Sequence, residues 1–396
     1  MKLTLEKSVK YTLFLYAFVS TMSITAAEIS YILAIVIAAA DIIKNKKPIK
    51  ALFISALTIP LVVFAATHAA AAFSGIDPLN SVKALKKLYI FLMFFIAGAY
   101  FTDEEDVKKA IHFFTAGASV TGMYAVISMI FFRFIKGIWN YRPSSFSGNH
   151  MHCGGMLMAA VIIITAAALY FLSRKEYRAF GLYAIALLVT GTGLLFTLTR
   201  GSWLGAFAGV LIVLLAIDRK KALVFIGALI VLAFSLKSTI FFERALSSLN
   251  LKKASSVNER IYMWQSGIEM IKDRPLLGVG AGNVARVYPE YRNRKSIDRD
   301  FFHLHNNLIH IGAMDGLAGV SAFLLIFLVL WRSLYKSVFS EGSIYMKYII
   351  TGVFAYSIAF FINGMFEYNF FASQVVLIFW FFMGFLGAGK GKASAV

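Results

Sequence analysis

The sequence predicts an all-α polytopic membrane protein with about twelve transmembrane helices. Three observations carry that reading. First, 59% of the 396 residues are hydrophobic and only 15% are charged, where soluble domains average about 25% charged. A water-soluble fold of this length has too little interior for so much apolar surface, and the mean hydropathy is +0.74. Second, apolar runs of near-spanning length alternate with charge clusters along the whole chain. Third, the charges are lopsided, with 39 Lys+Arg against 20 Asp+Glu and a net +19. Such an excess on an apolar protein points to an anionic membrane surface or an anionic ligand. The single cysteine, Cys153, excludes an internal disulfide framework and a cysteine-based zinc site.

The runs fall at 11–27, 29–43, 51–73, 86–101, 111–132, 153–173, 179–198, 202–217, 222–236, 307–331, 347–364 and 369–388. The first follows Lys2, Lys7 and Lys10 without a good cleavage site, so it reads as a retained span and not as a signal peptide. The pair at 202–217 and 222–236 is short for about 30 Å of hydrocarbon. Three parts are expected: helices one to nine in residues 1–236, a large outer loop at 237–304, and helices ten to twelve in 305–396.

Orientation follows from the short loops. With the N-terminus inside, twenty Lys and Arg fall in inner segments and seven in short outer loops, which places both termini in the cytoplasm. The other twelve lie in the 237–304 loop, too long for that rule to count. Connections of that length are usually functional. The outer bases, including Lys83, Lys87 and Arg142, suit an anionic substrate handled at the outer face.

Within this loop Ser256 and Glu259 fit a capping box. Ile261, Trp264, Ile268 and Ile271 then form one apolar stripe of an amphipathic helix. The helix stops at Asp273-Arg274-Pro275, and would lie on the membrane or cover a cavity. Arg260 sits in its first turn, where a cation opposes the helix dipole; either a partner anion or a solvated pairing with Glu259 or Asp273 accounts for it. Gly278-Val-Gly280-Ala-Gly282 lacks dinucleotide spacing and reads as a turn. The basic, aromatic stretch with Arg286, Tyr288, Tyr291, Arg292, Arg294, Lys295 and Arg299 suits a phosphorylated lipid or glycolipid better than nucleic acid.

His303, His305 and Asn306 lead into the run at 307. A metal site is a weak reading: His305 and His310 do not share a helical face, and Asp298-Arg299-Asp300 sets an arginine between its carboxylates. Proton transfer is the alternative use of His305, against the plain reading of an interfacial hydrogen-bonding histidine. Asn306 would orient the substrate or the imidazole. Gly312 and Gly316 would let another helix approach closely and hold His305 still.

His305-Asn306, nine residues, Gly316, two residues and Gly319 resemble the signature of bacterial O-antigen ligases. Arg200-Gly-Ser-Trp-Leu204 is similar to their R-x3-L motif, and Arg260–Trp264 through Pro275–Gly280 looks like the start of their large periplasmic loop. The resemblance implies a membrane glycosyltransferase of the C type in the bacterial inner membrane, its active site facing the periplasm. It implies transfer of a glycan from undecaprenyl pyrophosphate to lipid A–core, with inversion and without a metal or other cofactor. By the same resemblance and by its chemistry, His305 is the candidate base. Arg200 and Arg260 would hold the departing pyrophosphate, since arginine is always charged and bidentate. Arg142, Lys83, Lys87, Arg292 and Asn306 are further substrate contacts; membrane lipids are partners and nucleic acid is not.

Three rivals stand beside it. A polysaccharide polymerase of the same superfamily would use a lipid-linked acceptor. Protein O-oligosaccharyltransferases commonly carry more soluble C-terminal sequence than the eight or so residues expected after the last run. A transporter would place ionisable residues deep in its helices, where Asp41 and Asp315 are the main acids.

Overall fold

The computed structural model describes residues 4–53, 55–139, 141–145, 148–235, 255–296, 303–340 and 342–387. Among them there are helices and no strands. The main helices are α1 (Leu5–Val19), α2 (Ile24–Lys44), α3 (Thr58–Ser74), α4 (Leu92–Tyr100), α5 (Glu104–Met129), α6 (His150–Ser173), α7 (Tyr177–Phe196), α8 (Arg200–Ile217) and α9 (Arg219–Ser235). They continue as α10 (Ser255–Asp273), α11 (Val284–Tyr291), α12 (Asn307–Val338), α13 (Ile344–Gly364) and α14 (Ser373–Met383). Each of the twelve expected runs overlaps a helix. Among the described residues, seven helices are both long and apolar enough to cross a membrane: α2, α5, α6, α7, α8, α12 and α13. The helices at Thr58–Ser74 and Ser373–Gly387 are apolar but shorter.

Several boundaries differ from expectation for local reasons. The break expected near residue 28 falls at Ser20–Ser23, because the Ser23 hydroxyl caps α2 by accepting from Ala26 N. Glu28 therefore lies inside α2, not between spans. The run at 86–101 is divided into a 3-10 segment, Leu85–Phe91, and α4. Charges before residue 111 do not delay α5: Asp103 caps it, accepting from Asp106 N at 2.8 Å, and three acids in its first turn suit the helix dipole.

Burial sorts the helices. The two interior ones, α6 and α14, are apolar on every side and buried on every side. α2 and α7 instead expose large side chains such as Ile29, Val36, Leu182 and Leu188, the outer, lipid-facing surface of a bundle.

The bundle has two distinct ends. At one, Lys10 of α1 pairs with Asp106 of α5 at 2.6 Å, Lys47 pairs with Asp41 of α2 at 2.7 Å, and Tyr100 of α4 donates to Asp41. Lys108 of α5 lies over the ring of Tyr345, at the start of α13. At the other end stand the starts of α6, α8 and α12 and the end of α13.

The 307–331 run was expected to be continuous; α12 is broken at Gly316 (φ 66°, ψ −168°). The segment after α10 is stitched into the break. Val279 N and Gly280 N donate to Ala313 O and Met314 O, and Leu317 N donates to Pro275 O at 2.8 Å. A buried break is stable only when its freed backbone groups find such partners. Gly316 is thus a hinge against Leu276, not a helix-packing position; Gly312 does take close packing, from Ile271 of α10.

Candidate active site

The starts of α6, α8, α10 and α12 and the turn after α13 enclose a cavity of about 210 Å³. Arg142, Arg200, Arg260 and His305 all line it. Two residues on its wall, Leu198 and His305, have left-handed backbones, with φ 54° and 48°. Such conformations cost about 1–3 kcal/mol in non-glycine residues and persist where surrounding structure over-determines them.

That support is a buried chain of asparagines. Asn363 donates to Ser202 at 3.2 Å, Asn369 donates to Asn363 at 3.0 Å, and Asn307 donates to Asn369 at 2.7 Å. Ser202 follows Arg200 by two residues, Asn307 follows His305 by two, and Asn369 follows Glu367 by two. One network therefore ties together three backbones that present cavity residues. Fully paired buried networks of this kind hold a geometry rigidly.

Glu367 is the residue that sequence reasoning missed. It is buried, in the turn between α13 and α14. One carboxylate oxygen lies 3.0 Å from Nδ1 of His305 and 4.0 Å from Arg260; the other lies 3.3 Å from Nε2 of His303. Burial alone would raise its pKa, but the His305 hydrogen bond and the nearby charges pull it down to about 2. Burial pushes His303 the other way, down to about 4, so it is neutral at pH 7. An ionised carboxylate only accepts, so Nδ1 of His305 donates in this bond, and in the neutral imidazole that tautomer leaves Nε2 as the acceptor. The one available signal was a lone acid at a span end, on the same side as the histidines.

Arg260 is largely enclosed, and burial lowers its pKa before Glu367 raises it. Its anion is Glu367, not Glu259 or Asp273; Glu259 accepts from Ser296 at 2.7 Å. The helix carrying Arg260 starts at Ser255, and Glu259 accepts from Ser296; the Ser256 side chain of the expected capping box lies outside the described residues. The helix buries Met263, Ser266, Gly267 and Met270, while Ile268 is 43% exposed. Ile261, Trp264 and Ile271 of the predicted stripe are half-buried, so the stripe borders the buried face and does not form its centre. Gly267 sets this rotation, letting Leu304 and Ile309 pack where a Cβ would clash.

The other expected contacts divide. Arg142 is in the cavity, donating to His150 at 3.3 Å. Asn306 is taken up by the fold: it caps α12 through Ile309 N and donates to Met365 O. Lys87 lines a separate cavity of about 150 Å³ with His68 and His310. Lys83 and Arg292 are exposed and line neither cavity. In the basic, aromatic stretch Arg286 pairs with Asp77 and Tyr288 is buried. Asp298, Arg299 and Asp300 lie outside the described residues, as does the side chain of Ser256. Asp315, deep in α12, is bonded to His68 at 2.8 Å.

His303, His305 and Glu367 offer three ligand atoms within 4.8 Å of one another, a candidate cation site. Glu367 is already hydrogen-bonded to His305 and lies 3.3 Å from His303, and the three arginines of the cavity repel a dication. Chemically, the arrangement joins a proton acceptor with a polarising carboxylate to a cluster of fixed cations. That combination serves transfer of a group away from an anionic leaving group.

Fold and site together define a multi-pass membrane protein with a cationic histidine–carboxylate site at one end of its bundle. Residues 185–324 match the family described as O-Antigen ligase, Wzy_C. This stretch holds Arg200, Arg260 and His305; Arg142 and Glu367 lie outside it. The chain is 24% identical over 245 residues to an uncharacterized protein of Haemophilus influenzae, covering 56% of this chain and 58% of that protein. It is 23% identical over 265 residues to the exopolysaccharide production protein ExoQ of Rhizobium meliloti, covering 63% and 59%. The chain thus spans less than two thirds of the length of these relatives.

Proposed function

We propose that this protein is an O-antigen ligase, transferring a glycan from undecaprenyl pyrophosphate to lipid A–core at the periplasmic face of a bacterial inner membrane. Residues 1–236 and 305–396 form its membrane part, of about twelve spans, and 237–304 its periplasmic loop. The observation that carries this reading is the meeting of Arg142, Arg200, Arg260 and His305 in one cavity, from four separate stretches of chain.

In the reaction, Nε2 of His305 takes the proton of the acceptor hydroxyl. The oxygen attacks the anomeric carbon, and the bond from that carbon to the pyrophosphate breaks with its electron pair on the leaving oxygen. The arginines hold the charge that develops there, as a divalent cation does in other sites. Attack opposite the leaving group inverts the anomeric centre.

A second reading is a polysaccharide polymerase, favoured by the similarity to an exopolysaccharide production protein. One experiment separates the two: reconstituted protein is given a labelled lipid-linked repeat unit with and without lipid A–core. Label on lipid A–core supports ligation. A ladder of longer lipid-linked chains without it replaces ligase by polymerase, and no transfer to either acceptor refutes both.

A further inference from the structure

At the end of the bundle opposite His305, α12 finishes beside a second cavity, of about 640 Å³. That is ample for a small amphipathic ligand, whose pockets span about 300–1,000 Å³. Its walls are of two kinds. Leu57, Phe94 and Phe95 make an apolar side. Its floor is formed where α4 meets the 3-10 turn Gly384–Gly387, with Gly98 and Gly384 in backbone contact. The facing wall is one polar face of α12: Arg332, Ser333, Lys336 and Ser337.

Cations in the last turns of a helix are also what the helix dipole and membrane topology favour. One feature exceeds that explanation. Lys10, Lys47, Lys108 and Lys109 at this end pair with carboxylates. Lys44, Lys46, Lys347, Arg332 and Lys336 have no ion pair among the described residues, but Arg332 and Lys336 differ from the rest in their setting. They border a void with an apolar opposite wall. An amphipathic cavity with unpaired cations at a membrane-facing helix end has the chemistry of an anionic lipid site.

We infer that this cavity binds the headgroup of an anionic phospholipid, its phosphate against Arg332 and Lys336 and its glycerol and upper chains against Leu57, Phe94 and Phe95. The inference rests on the membrane reading of the bundle and on nothing about the glycan reaction. The bound lipid fills the gap between α12 and α4 and so ties the inner end of the helix whose outer end carries His305.

The test uses the full chain, purified and delipidated in a neutral detergent, with native mass spectrometry and thermal unfolding as readouts. Phosphatidylglycerol should bind and raise the unfolding temperature; phosphatidylcholine and inorganic phosphate should not. Arg332→Gln with Lys336→Gln should weaken phosphatidylglycerol binding by about thirtyfold. Ser337→Trp, which fills the cavity and keeps both cations, should also abolish it. Equal binding of the two lipids, or wild-type binding by either variant, would overturn the site. A shift produced by inorganic phosphate alone would make it a free-anion site and overturn the lipid assignment.

Discussion

Nδ1 of His305 lies 3.0 Å from a carboxylate oxygen of Glu367, and the two are 62 positions apart in the chain. In the reaction we propose, the carboxylate fixes the imidazole tautomer and stabilises the imidazolium formed when Nε2 takes a proton, as an orienting acid does in other base-assisted transfers. Glu367→Gln should therefore lower kcat by about 10²-fold or more with little change in KM. His305→Ala should abolish transfer at normal membrane abundance. A Glu367→Gln enzyme with wild-type kcat, or one altered in KM alone, would remove Glu367 from this role.

Arg260 reaches the cavity from α10 and stands 4.0 Å from the same carboxylate. A lysine there keeps the charge but loses the planar fork that grips two phosphate oxygens. Arg260→Lys should lower kcat by about 10²–10³-fold, the scale of losing one donor to a developing anion. Steady-state rates on a reconstituted donor check this; a rate equal to wild type would leave the arginine with only a bulk electrostatic effect.

The cluster of His303, His305 and Glu367 makes the role of a metal directly testable. Arg142, Arg200 and Arg260 stand around the same cavity, and in the reaction we propose they supply the charge a cation would. Transfer by purified protein should be unchanged in excess EDTA. Loss of activity that zinc or manganese restores would instead make the three side chains a metal centre.

The low pKa of Glu367 has a consequence for stability. Its folded-state value, about 2, lies below the ordinary 4.5. Its interactions therefore contribute stability above pH 4.5, and this contribution is lost as pH falls toward 2. Between pH 5 and pH 3.5 the wild-type unfolding temperature should drop more than that of Glu367→Gln, which has no carboxylate to protonate. Equal drops would mean the carboxylate is not held ionised by its partners.

What the sequence made legible was the charged half of the site. Arg142, Arg200, Arg260 and His305 are polar residues beside apolar runs, and three sit in short recognisable patterns. Glu367 was not legible, because a lone acid in a short turn has no local pattern and acts only through residues brought near by folding. Nor was the rotation of α10: periodicity favours the isoleucines, yet Gly267 admits Leu304 and Ile309 on a neighbouring face. The same holds for the helices themselves. Apolar runs marked where they lie, but the Ser23 and Asp103 caps decided where they begin.

The break in α12 was hidden for a related reason, since apolar residues continue on both sides of Gly316 at helical spacing. Its φ of 66° suits glycine, and a Cβ there would lie 2.2 Å from the backbone of Leu276. That backbone cannot retreat, because Leu317 N and Ala318 N donate to Pro275 O and Leu276 O. Gly316→Ala must therefore either strain the backbone by about 1–3 kcal/mol or expel the Pro275–Gly280 segment from the break. Either way α12 shifts, and His305 at its start shifts with it. The variant should unfold at a lower temperature and lose transfer. Gly191→Ala is the matched control: it is helical, a Cβ added there would meet nothing within 4 Å, and it should be neutral or more stable by about 0.5–1 kcal/mol. Thermal unfolding of the two variants side by side decides the matter; a Gly316→Ala protein as stable as Gly191→Ala would show that the break does not require glycine.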